Sequence, residues 1–190
     1  MKKSLSIFLL LVMLLLCSGC SNAESQKLSL SVGEKSISIG DSTDSVLEIL
    51  GDPENIYDSY NGVGIVWQYD NLEITQLDGE IIAIGITNTN PYSICGIRYG
   101  DSKETALENL SKISNVQENG DSASVVVRLG ENGTVAEKID DVVEFNLDIS
   151  SMKAEELHEY GAVFVLFDEN DEVMLVNTYN QVCNASAESS

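Results

Sequence analysis

The eleven residues Gly40–Leu50, "GDSTDSVLEIL", return sixty positions later as Gly100–Leu110, "GDSKETALENL", with six positions identical. A chain that writes one phrase twice is constrained to fold into two related parts. Each copy follows a short alternating stretch, "SISI" or "GIRY", which puts Ile37 and Ile39, or Ile97 and Tyr99, on one face of an extended segment. Within the phrase, Asp41 or Asp101 is placed to act as helix N-cap, and Asp44 or Glu104 three residues later completes a capping box. Val46, Leu47 and Leu50 then share a helical face, as do Ala106, Leu107 and Leu110. Gly51 and Pro53 stop the first helix. Capping accounts for the Asp and Ser residues of the phrase, and no catalytic role is needed for them.

Beyond the first helix come "NIYDSY", "GIVWQYD", "LEITQL" and "IIAIGIT", separated by Asn61-Gly62, Asp70-Asn71 and Asp78-Gly79. Such dipeptides are hairpin signals, so the segment reads as an antiparallel meander of four strands. Alternation groups Ile65, Trp67 and Tyr69, and likewise Ile82, Ile84 and Ile86. Beyond the second helix, "SVVVRL", "AVFVLFD" and "EVMLVNTYN" read as strands, with "DENDE" as a turn. The second part carries more: "VVEFNLDI" alternates, and "SSMKAEELHEYG" reads as a short capped helix ended by Gly161. The stretch 130–161 is thus an extra strand and helix, either inserted or part of the second sheet. The expected class is α+β, with two tandem units, each a helix packed on an antiparallel four-stranded sheet. The first unit is placed at 36–90 and the second at 91–182, after a short tether at 20–35 and before a tail at 183–190. "TNTNP", residues 87–91, marks the boundary between them.

The pattern G-D-S-x-x-x-x-L-x-x-L-G-x-P, followed by W-x-Y and hairpin strands, resembles the β-lactamase inhibitor protein (BLIP)-like fold shared with the SmpA/OmlA envelope lipoproteins. In the first unit the match runs from Gly40 to Thr87 and includes Leu47, Leu50, Gly51, Pro53, Trp67 and Tyr69. The second unit matches through its helix and final hairpin, but lacks the L-G-x-P turn and the W-x-Y pair. The resemblance implies non-catalytic modules for protein binding or envelope assembly. It carries over no contact residue.

The first nineteen residues place Lys2 and Lys3 before an apolar run, Ile7 to Leu16, and small residues before Cys20. That order is an export signal, and the apolar run is short for a membrane span. "LCSGCSNA" resembles the bacterial lipobox, with Ser18 and Gly19 as the small residues ahead of a lipidated Cys20. Cys17 stands where that motif usually has Leu. The acyl chains, at ~0.8 kcal/mol per buried methylene, then anchor the chain on the extracytoplasmic face of a bacterial membrane. Removing residues 1–19 takes away two lysines and no acid, moving the formal charge from -21 to about -23. So acidic a chain has no basic stripe for nucleic acid. Its surface suits cationic partners or weakly held calcium. Cys95 and Cys183 are the thiols left over, a candidate disulfide in an exported chain.

Little in the sequence points to catalysis. His158 is the sole histidine, so neither a two-histidine metal helix nor a serine triad with a recognisable nucleophile is written here. "DENDEV", Asp168 to Val173, lacks the Gly and distal Glu of a calcium loop and reads as an acidic hairpin turn. "GVG", Gly62 to Gly64, lies between strands and opens no helix. Trp67 and Tyr69 read as core, whereas Tyr57 and Tyr60 have opposite parity, so at least one faces outward. Tyr57 and Tyr60 are therefore the candidate binding surface. The expectation is a lipid-anchored module that binds an envelope protein or peptide, with no cofactor and no metal. The alternatives are a carboxylate-dependent envelope hydrolase and a weak cation-binding lipoprotein.

Overall fold

The computed structural model describes residues 26–60, 62–88, 91–139 and 154–181. Both expected helices form. Helix α1 spans Thr43–Leu50 and α2 spans Lys103–Ile113. Their N-caps lie one residue later than the capping-box reading had them. Ser42 and Ser102 accept the N–H of Ser45 and Thr105 on their hydroxyls, each at 3.3 Å. Asp41 and Asp101 serve the preceding turn instead, where their carboxylates accept the N–H of Ser38 (2.7 Å) and Arg98 (2.8 Å). An extended Ser with its oxygen over the first turn satisfies an orphan helix donor, and that frees the Asp to tie the turn. The apolar faces also differ in detail. Val46 is buried and Ile49 and Leu50 pack on the core, but Leu47 stays at the exposed rim. In α2 the buried set is Ala106, Leu110 and Ile113.

Strands β1 (Ser29–Val32) and β2 (Lys35–Ser38) form a hairpin, and β1 also pairs with the short β7 (Ser93–Ile94). The stretch expected as a tether is therefore structured from Gln26 onward. Leu28 and Leu30 are wholly buried in the core, because they alternate inward on the hairpin. The remaining strands are β3 (Asn55–Asp58), β4 (Ile65–Tyr69), β5 (Leu72–Leu77), β6 (Glu80–Ile86), β8 (Gln117–Asn119), β9 (Ser122–Leu129), β10 (Val135–Lys138), β11 (Tyr160–Phe167) and β12 (Val173–Asn180). They form one nine-stranded antiparallel sheet in the order β10-β9-β11-β12-β6-β5-β4-β3, with β8 also on β9. The expected pair of four-stranded sheets is thus one continuous sheet and one α+β body. The extra stretch contributes β10 to that sheet's edge, and "VVEFNLDI" lies outside the described residues. Ala154–Leu157 is a single helical turn, and Gly161 does not end it but lies inside β11.

The join between the two groups of strands is β6 against β12, with Ile86 opposite Val176, Gly85 opposite Asn177 and Ile84 opposite Thr178. Bulges fall at matching places. β5–β6 slips between Thr75 and Gln76, leaving Ile82 as the extra residue, and β11–β12 slips between Leu166 and Phe167, leaving Met174. The bulge changes parity, so Ile81, rather than Ile82, joins Ile84 and Ile86 in the main core. The hydrogen bonds around the two helix starts recur as well. Gly40 N–H reaches the Ile81 carbonyl (2.8 Å) and Gly100 N–H that of Val173 (2.7 Å). Likewise Thr43 N–H reaches Gly79 (2.9 Å) and Lys103 N–H reaches Asp171 (2.8 Å).

One face of the large sheet carries Ile74, Ile84, Ile86, Val125, Val163, Val165 and Val176, and with α1, α2 and the β1 hairpin it encloses a single core. Each such aliphatic side chain taken from water contributes ~1.5–3 kcal/mol. The other face holds a smaller cluster of Val126 and Ala162 with Ile139, Tyr160 and Tyr179.

Candidate binding edge

β3 is the outermost strand on its side of the sheet, because the meander begins with it and it pairs only with β4 among the described residues. All four of its residues are exposed. With the adjoining loop and β4 it carries the main group of uncovered large apolar and aromatic side chains. Ile56 is 62% exposed, Tyr57 41% and Ile65 37%, and Tyr60 is fully in solvent.

Both expected binding residues, Tyr57 and Tyr60, therefore face outward. Tyr57 is braced: its hydroxyl donates to Glu73 Oε1 at 2.7 Å, across β4. That bond and the nearby carboxylate hold the Tyr57 phenol above its ordinary pKa. Asn55 Nδ2 donates to Gln68 Oε1 at 3.1 Å and fixes the other end of the strand. Sequence patterning missed Ile56 and grouped Ile65 with the covered Trp67 and Tyr69. The signal was topological: the first strand of a meander has a neighbour on one side only, so its side chains lose half their lateral cover.

Trp67 and Tyr69 are where the sequence placed them, packed on the core. The Tyr69 hydroxyl donates to the Gly51 carbonyl at 3.1 Å, fastening β4 to the end of α1. Gly51 caps that end at φ 78, a conformation glycine adopts without a Cβ penalty. Burial, and then the charge of Asp52, push the Tyr69 phenol up to about 12. The W-x-Y pair is thus a packing and fastening device.

The other candidates come together less. Cys95 is a free thiol turned inward, its Sγ 3.9 Å from the Lys27 carbonyl, and burial pushes it up to about 11. Cys183 and the lipidation candidate Cys20 lie outside the described residues, so the described residues form no bridge. His158 is exposed, and a depression of about 240 Å³ brings it near Glu80 and Asn180, between Gly40 and Gly130. Among the described residues that line it, the depression offers one carboxylate, that of Glu80. Asp168 folds the "DENDE" turn on itself, accepting the N–H of Asn170 (2.8 Å) and Glu172 (2.9 Å), and the second of these does most to hold its pKa below the usual range. Among the described residues no three His, Cys, Asp or Glu side chains gather as a metal site. No described helix is long and apolar enough to cross a membrane.

No protein-family model matches the chain, and no curated protein matches it. Two solved structures are similar in outline. One is an extracellular protein containing an SCP domain from Bacillus anthracis, at 13% identity and TM-score 0.45 over 76% of this chain and 45% of that one. The other is a cysteine-rich secretory protein from Staphylococcus aureus, at 12% identity and TM-score 0.42 over 75% and 44%. The chain spans less than half the length of either.

Proposed function

We propose that this protein is a lipid-anchored lipoprotein on the extracytoplasmic face of a bacterial membrane, and that it binds another protein or peptide without catalysing a reaction. The observation that carries this reading is the uncovered group Ile56, Tyr57, Tyr60 and Ile65 at one sheet edge. Exposed aromatic and aliphatic side chains, rimmed by acids and braced by hydrogen bonds, supply contact area at low ordering cost. The fold reading that accompanies it is two copies of one BLIP-like unit, joined last strand to last strand. The recurring bonds at Gly40 and Gly100, the matching bulges and the balanced register about Gly85 and Asn177 support that reading.

A photo-crosslinking amino acid placed at Tyr60, and separately at Leu47 and Glu131, tests the binding role in intact cells. A discrete crosslinked partner from at least one position is expected, and absence of any adduct at all three overturns the reading. Incorporation of a labelled fatty acid, lost in Cys20→Ala, tests the anchor.

A further inference from the structure

The bare edge of β3 has a defined hydrogen-bonding phase. β3 and β4 pair with Asn55 opposite Gln68, Ile56 opposite Trp67, Tyr57 opposite Val66 and Asp58 opposite Ile65. Ser59 N–H donates to the Gly64 carbonyl at 3.1 Å, in step with that register, whereas Glu54 N–H donates to the Gln68 carbonyl at 2.8 Å one residue out of step, where the chain enters the strand. Antiparallel partners alternate between exchanging both bonds and exchanging none. Counting back from Ser59, Tyr57 and Asn55 bond to β4. The N–H and C=O groups of Ile56 and Asp58 therefore point to the open side, spaced to receive another strand.

Between Asn55 and Asp58 this four-residue edge carries no lysine or proline, and no other described strand lies alongside it. Sheet edges are ordinarily protected by very short strands, lysines, prolines or bulges. The opposite edge follows that rule: β8 is three residues long, and β10 carries Glu137 and Lys138 in an irregular register with β9. β3 instead presents Ile56 and Tyr57 between Glu54 and Asp58. The charge around it has one sign. From Ser36 to Ile97 the chain contains no Lys or Arg and ten Asp or Glu, and among the described residues no ion pair involves an acid between Gly51 and Ile97.

We propose that β3 takes up an extended, basic segment of a partner protein as an added strand, paired through the backbone of Ile56 and Asp58. This inference rests on the binding reading above and names its mode. In an added strand, alternate side chains lie on opposite faces. One set sits beside Ile56 and Asp58, and the other beside Tyr57 and its Glu73 brace, so a lysine or arginine next to an apolar residue meets a complement on either face. A second copy of this chain is a poor occupant, because its own β3 would bring Glu54 and Asp58 against acids of like sign.

The test uses the full chain in detergent and a fluorescein-labelled decapeptide of alternating lysine and valine, read by fluorescence anisotropy. Controls are a glutamate–valine decapeptide and a lysine–valine peptide N-methylated at alternate residues, which keeps the charge but loses backbone donors. Ile56→Pro is the matching protein variant. Its missing N–H is one that faces the open side, so the β3–β4 ladder keeps its bonds. Expected is binding of the lysine–valine peptide and not of the glutamate–valine one, with the dissociation constant raised about tenfold or more by Ile56→Pro and by N-methylation, and unchanged by Glu131→Lys. Should Ile56→Pro unfold the chain, the N-methylated peptide decides on the unaltered protein. Equal binding of plain and N-methylated peptides, no binding of the lysine–valine peptide, or a dimer that Ile56→Pro dissolves would each overturn the proposal. A crosslinked partner found alongside any of those results would leave the binding reading standing and remove only the edge.

Discussion

Helices α1 and α2 begin alike and end differently. Both are capped by a serine hydroxyl and held by matching bonds to the last turn of their half and the strand that follows it. α1 stops after eight residues, where Gly51 turns left-handed and Pro53 follows. α2 runs for eleven, adds the buried Ile113, and closes with the Ser114 N–H on the Leu110 carbonyl. The same leucine of the repeated phrase is therefore partly covered as Leu50 but wholly buried as Leu110. The sheet edges differ in the same sense. The second half covers the outer side of β9 with β8 and β10, whereas the first half ends on β3. Likeness is kept where hydrogen bonds set the helix start, and lost at ends and edges, where length decides what is covered.

The leucine pair breaks or sharpens this comparison most directly. Leu110→Ala should destabilise by ~2–5 kcal/mol, and Leu50→Ala by about half as much, since partial exposure leaves less burial to lose. Urea unfolding of both variants measures it, and equal losses would mean that helix length does not govern cover. Next comes the centre of the sheet, where a Cβ at Gly85 would collide with Oδ1 of Asn177. Gly85→Ala should cost ~1 kcal/mol, at the low end of overpacking because the colliding atom ends a side chain. In an Asn177→Gly background the same change should be neutral or stabilising, since only the lower entropy of the unfolded chain remains. A double-mutant cycle reads the coupling, and additive values would deny the contact.

The caps should behave as equals. Ser42→Ala and Ser102→Ala are each expected to cost ~1 kcal/mol, and a neutral result at either would show that its helix start is held by the backbone bonds alone. The last contrast concerns Tyr69, which has no aromatic counterpart in the second half. Its folded pKa, about 12, lies above the ordinary phenol value of 10.0. Its neutral form is therefore favoured by folding, and the contribution is complete below pH 10 and lost as pH rises through about 12. Tyr69→Phe should flatten the stability profile across that window, followed by thermal melts at stepped pH.

Much of this architecture was legible in the chain. The repeated phrase marked both helices, and the dipeptides between apolar runs marked the four-strand meander, because turn chemistry and helix capping act over three or four residues. The core roles of Trp67 and Tyr69 were legible from parity. What local patterns misplaced were Ile81 and Ile82, since a bulge adds one residue and inverts the faces beyond it. Gln26 to Lys35 was also misread as part of the tether, whereas Leu28 and Leu30 alternate into the core. Of the candidate edge, the outward placement of Tyr57 and Tyr60 was legible, but Ile56 and the open backbone were not, because exposure at an edge depends on which strand lies alongside.

The sequence by itself determined the local units: where helices start, where hairpins turn, and that one phrase is used twice. Only the tertiary structure decided that the strands join through β6 and β12 into one sheet, that Ser42 and Ser102 rather than the neighbouring aspartates hold the caps, and that among the described residues β3 has a neighbour on one side only. The physical reason is range. Capping and turn preferences are settled between near neighbours, whereas strand order and edge exposure depend on contacts between residues far apart in the chain, such as Gly85 and Asn177.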